Sequence, residues 1–138
     1  MAHPLEDERI GQIVESLQSK KGLDILLMDL RSSTDATDFF ILCTATSSLQ
    51  VKTLADEVAD KLKEEGQRPW HIEGYKTRRW VLIDYVDIVV HIFQREAREF
   101  YALERLWGDA ECTSFEDDLE NALETGPNED NQSVFSHS

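Results

Sequence analysis

The chain has 138 residues, 41% apolar and 30% charged, and no apolar run approaches the ~20 residues that span a bilayer, so it reads as one soluble domain with tails. Its formal net charge of −14 is uneven: residues 109–138 hold nine acids and no Lys or Arg, a net of −9, which leaves −5 for residues 1–108. A net-negative body with an acidic tail repels phosphate backbones, which argues against primary nucleic-acid binding and for a basic protein partner.

The opening MAHPLEDERIG is acidic and helix-like, with neither a secretory nor a transit pattern, so the cytoplasm is the expected compartment. Cys43 and Cys112 are expected as free thiols, since no Cys-x-x-Cys or Cys/His cluster suggests zinc. Within residues 5–22, Ile10, Ile13, Val14 and Leu17 recur at helical spacing, and Lys20-Lys21-Gly22 gives a basic last turn and a stop. LDILLMDL (23–30) and DFFILCTA (38–45) have the short apolar form of buried strands. Between them lies the polar loop RSSTDAT, where Asp35, like Asp38 after it, reads as a turn carboxylate. Ser47 and Gln50 fit a capping box. It opens a helix whose stripe is Val51, Leu54, Ala55, Val58 and Leu62, and Gly66 ends it.

PWHIEGY (69–75) reads as a short edge strand. WVLIDYVDIVVHIF (80–93) then reads as a hairpin. With Tyr85 and Val86 as a two-residue turn, Asp84 faces Asp87, Leu82 faces Val89 and Trp80 faces His91. Those six share one sheet face, the exposed or partner-facing one, while Val81, Ile83, Ile88, Val90 and Ile92 make the core face. REAREFYALERLW (95–107) returns to helical spacing through Ala97, Phe100, Leu103, Leu106 and Trp107. SFEDDLENALE is consistent with one further short helix capped by Ser114, and the last stretch reads as disordered. The domain boundaries that follow are 1–110 for the α/β domain and 111–138 for an acidic tail. The element order implies an α/β fold with a mixed five-stranded sheet flanked by helices.

The six glycines are scattered, without a phosphate-cradling pattern, and no serine nucleophile elbow occurs. No cofactor and no metal are therefore expected. Asp84, Asp87 and His91 are the one conceivable acid/base or metal group, giving a nucleotide- or metal-dependent transferase as the alternative reading. In the pairing above, His91 lies too far from Asp87 for a direct hydrogen bond. Trp80, Tyr85, Tyr101 and Trp107 exceed what an apolar stripe needs and suit a protein interface.

DFFILCTATSSLQVKTLADEV, the Glu73-Gly74 pair and RWVLIDYVDIVVHIFQREAREFYALERLWGDA closely resemble the ribosomal silencing factor, or Iojap-like, family over residues 8 to 110. The resemblance implies a fold related to nucleotidyltransferases without their catalytic motif and without enzyme activity. It further implies binding to the large ribosomal subunit through the basic ribosomal protein uL-fourteen. Small-subunit joining would then be blocked and translation repressed under nutrient limitation, with a homodimer as the free state. Carried over by motif position, the implied partner-binding residues are Trp80, Asp84, Tyr85, Asp87, Tyr101, Leu103 and Glu104. One departure stands out: the family usually has Gly where this chain has Val86, and a Val resists the positive φ of a tight hairpin turn.

Overall fold

The computed structural model describes residues 3–117. A 3₁₀ turn at Pro4–Glu6 leads into α1 (Glu8–Ser19), and the chain continues through β1 (Leu23–Asp29), β2 (Phe39–Ala45) and α2 (Ser48–Glu64). Next come β3 (His71–Glu73), β4 (Trp80–Asp84), β5 (Ile88–Gln94), α3 (Arg95–Tyr101), α4 (Leu103–Leu106) and β6 (Glu111–Phe115). The sheet runs β3-β4-β5-β2-β1-β6, with β2 and β5 parallel and every other neighbouring pair antiparallel.

The α/β class and the mixed sheet are as expected, but among the described residues the strands number six rather than five. The added strand, ECTSF, is mostly exposed and pairs with β1 from Ile25↔Phe115 to Asp29↔Glu111. The sheet thus runs past the expected boundary at 110, and Ser114 and Phe115 are strand residues rather than the start of a helix. The remainder of that expected helix, and the stretch read as disordered, lie outside the described residues.

Alternation along the strands creates two cores. On one face Ile25, Leu27, Ile41, Cys43, Val81, Ile83, Val90 and Ile92 meet the stripes of α1 (Ile10, Ile13, Leu17) and α2 (Val51, Leu54, Val58, Leu62). On the other face Met28, Leu30, Leu42 and Phe93 pack with Ala97 of α3, and Trp80, Leu103, Trp107 and Phe40 close over them.

Helix ends explain how the layers are held. At the start of α2 the Gln50 N–H donates to Ser47 Oγ (3.0 Å), as the capping box requires. The Gln50 side chain returns to the Thr46 N–H (2.7 Å) rather than to that of Ser47, and its amide donates to the Lys20 and Lys21 carbonyls (3.2 and 3.0 Å). This one residue therefore ties the end of α1 to the start of α2. Gly66 (φ 81) ends α2 in a left-handed cap, with Gln67 N–H donating to Leu62 O (2.8 Å). At the end of α1, Lys21 (φ 66) rather than Gly22 takes the left-handed position. Gly22 serves close packing instead, because a Cβ there would run into Cys43 Sγ.

Candidate partner-binding surface

The β4–β5 hairpin turns one residue later than expected. Trp80 pairs with Phe93, Leu82 with His91 and Asp84 with Val89, so the register differs by two from the expected one. Asp84 does not face Asp87, nor Trp80 His91. Because the shift is even, each side chain of the two strands keeps its expected face, and the core-facing set Val81, Ile83, Ile88, Val90 and Ile92 is the one anticipated, whereas Asp87, in the turn, does not stay on the mixed face.

Val86 sits at the turn with φ 77, and Asp87 N–H donates to Tyr85 O (3.0 Å), closing a three-residue turn around it. Asp84 Oδ1 accepts the Val86 N–H at 2.7 Å. Asp87 points the other way, to Arg9 of α1, whose guanidinium donates to both carboxylate oxygens (3.0 and 2.7 Å). That guanidinium holds the Asp87 carboxyl below its usual range. Arg9 also donates to Asp7, pinning the start of α1 to the hairpin.

The mixed hairpin face is not open to solvent as expected. His91 is only 3% exposed, and burial pushes its pKa down to about 3, so the ring is neutral. Trp80 Nε1–H donates to His91 Nδ1 at 3.0 Å. Asp84, Asp87 and His91 are thus committed to three separate local bonds and do not converge as a catalytic or metal group. Among the described residues no three His, Cys, Asp or Glu side chains gather as metal ligands.

Above this face the expected single helix 95–107 breaks at Ala102, which adopts φ 48 between α3 and α4. The break is braced by Arg98, which donates to Asp24 O (2.6 Å), Thr44 Oγ1 (2.9 Å) and Glu104 Oε2 (3.0 Å). It lets Leu103 and Trp107 turn down onto Phe40 while Phe100 and Leu106 turn out, 77% and 71% exposed. Tyr101, 46% exposed, packs at a tilt against Trp80 with centroids 4.6 Å apart, and Phe100 meets Tyr101 edge-on at 5.0 Å.

Of the seven implied partner-binding residues, then, the fold gathers Trp80, Tyr101, Leu103 and Glu104 at the α3–α4 corner. Asp84 and Asp87 stand at the hairpin tip. Tyr85 does not join either set: its ring enters the core beneath α1 and α2 and is 6% exposed, and burial raises its hydroxyl pKa to about 12. Phe100 and Leu106, which share the helical apolar spacing of 95–107, lie on the surface. The adjoining groove, about 370 Å³, mixes Arg95, Arg98 and Arg105 with Asp24, Glu99 and Glu104. Such alternating charge is unlike a phosphate cradle.

Residues 4–137 match the family described as "Ribosomal silencing factor during starvation". The chain is 37% identical over 109 residues to ribosomal silencing factor RsfS of Halalkalibacterium halodurans, covering 79% of this chain and 93% of that one. It is 42% identical over 95 residues to RsfS of Haemophilus influenzae, covering 69% and 93% respectively. A crystal structure of a protein from Chromobacterium violaceum superposes with a TM-score of 0.72 at 39% identity, covering 73% of this chain and 84% of the other. Both RsfS relatives carry a regulatory rather than a catalytic name. The chain belongs to the ribosomal silencing factor family.

Proposed function

We propose that this protein is a non-enzymatic translation repressor that binds the large ribosomal subunit through the basic protein uL-fourteen. Bound there, it blocks joining of the small subunit when nutrients are limiting. The observation that carries this reading is the aromatic ladder Phe100–Tyr101–Trp80 at the α3–α4 corner of a strongly acidic chain, with Phe100 and Tyr101 exposed over a half-buried Trp80 and Leu106 exposed on α4. Large side chains exposed together mark interaction sites, and Trp and Tyr are the usual anchors. The negative charge of the chain speeds encounter with a basic partner and discriminates against wrong ones. No group on the protein has to perform chemistry for this function.

The contacts proposed are Trp80, Tyr101, Leu103 and Glu104, with Asp84 and Asp87 as the flanking acidic tip. Tyr85 contributes by fixing the hairpin from the core side. In the free state a second copy of the chain covers the same corner, and the cytoplasm is the site of action. Co-sedimentation with isolated large subunits tests the surface. Tyr101→Ala is expected to weaken binding by on the order of tenfold or more, as for an aromatic anchor. Unchanged binding on removing the Tyr101 ring would place the contact elsewhere.

A further inference from the structure

We propose that His91 is a positioning residue for Trp80, holding the indole in the orientation that the ribosomal partner meets. The inference rests on the reading of Trp80 as a partner contact. Trp80 Nε1–H donates to His91 Nδ1 at 3.0 Å, so the imidazole carries its own proton on Nε2. That Nε2 is buried without a hydrogen-bond partner. An unpaired interior donor costs stability, and the surroundings of the ring are aromatic: Phe40 edge-on at 4.4 Å and Phe93 parallel at 5.9 Å. A Phe would suit those neighbours without the orphaned N–H. What it would lack is an acceptor aimed at the indole.

That acceptor has a use. The torsion that swings an indole about its Cβ–Cγ bond is soft and roughly two-fold, so stacking alone leaves the ring free to turn over. Phe93 at 5.0 Å and Tyr101 at 4.6 Å fix the plane of Trp80, and His91 fixes which edge faces inward. The interface anchor is therefore ordered before the partner arrives, which removes part of the ordering cost of association. His91 makes this contribution from beneath the surface, 3% exposed, without touching the partner.

The test uses the full-length chain, ¹⁵N-labelled at the indoles, with isolated large ribosomal subunits as the binding probe. In the wild type, the Trp80 indole N–H is expected to exchange with solvent far more slowly than that of Trp70; equally fast exchange overturns the proposal. His91→Phe is expected to melt no lower than the wild type, to lose that protection, and to bind large subunits about three- to tenfold more weakly. His91→Asn, whose Oδ1 lies near the place of Nδ1, is expected to recover both protection and affinity. Should His91→Phe fail to fold, the Asn variant decides, since loss of affinity with the acceptor retained contradicts a positioning role. Trp80→Ala separates the two levels of the argument. If it abolishes binding while His91→Phe binds normally, the positioning role alone is wrong. If it binds normally, the contact surface is wrong, and the positioning role falls with it.

Discussion

Val86 is the residue where sequence and geometry pull hardest against each other. A β-branched side chain at φ 77 is held there by the Asp84 carboxylate on its N–H and by the closing Asp87-to-Tyr85 bond. Since Val86 is well exposed, little packing is lost on removing its side chain. Val86→Gly is therefore expected to raise stability by about 0.5–1 kcal/mol, the relief of a left-handed Val less the extra freedom of Gly in the unfolded chain. A urea midpoint no higher than wild type would show that the turn is unstrained. His91 supplies the second residue-scale prediction. Its folded pKa is pushed down to about 3 from an ordinary 6.5, so between those values the unfolded chain binds a proton that the folded chain does not. Stability is full above pH 6.5 and falls as pH drops through the window toward 3. His91→Phe should flatten the fall between pH 6.5 and about 4.5, before the carboxylates contribute. An identical slope in the variant would mean that His91 is solvated. The parity of the hairpin strands, and hence the face of every strand side chain, is legible in the sequence because alternation alone decides it. The register was not, since without a glycine nothing in Tyr85-Val86-Asp87 marks which pair makes the turn.

At the scale of elements, the break between α3 and α4 shapes the surface. Apolar spacing from Ala97 to Trp107 is continuous, and Ala102 is a good helix former, so the sequence shows no stop there. The break comes from tertiary bonds: Arg98 reaches Asp24, Thr44 and Glu104 together, which a straight helix would not bring within one fork. Arg98→Lys keeps the charge and loses the fork. It is expected to lower stability by about 1–2 kcal/mol and to loosen α4, read as faster amide exchange at Leu106 and Trp107. A melting curve like that of the wild type, with unchanged exchange, would assign the break to the backbone alone. β6 escaped sequence reading for a related reason. ECTSF is a polar edge strand beside an acidic run, and its place follows from pairing to β1 rather than from any apolar alternation of its own. By contrast α1, α2, β1, β2 and the hairpin, which bury clear stripes, were legible to within a few residues.

For the whole molecule, the proposed function gives the acidic balance and the aromatic corner one purpose: long-range attraction to a basic partner followed by burial of a few anchors. Family membership rests on residues spread over most of the chain, whereas the proposed contact surface depends on the fold, because the kink at Ala102 leaves Phe100 and Leu106 exposed while Tyr101 lies over Trp80. The most direct measurement is subunit joining. Isolated large subunits are saturated with the protein, small subunits are added, and joined ribosomes are quantified by sedimentation. The account predicts that joining is suppressed by the wild type and largely restored when Trp80 and Tyr101 are both replaced by Ala in a chain that still folds. Full joining in the presence of stoichiometric wild-type protein would contradict it.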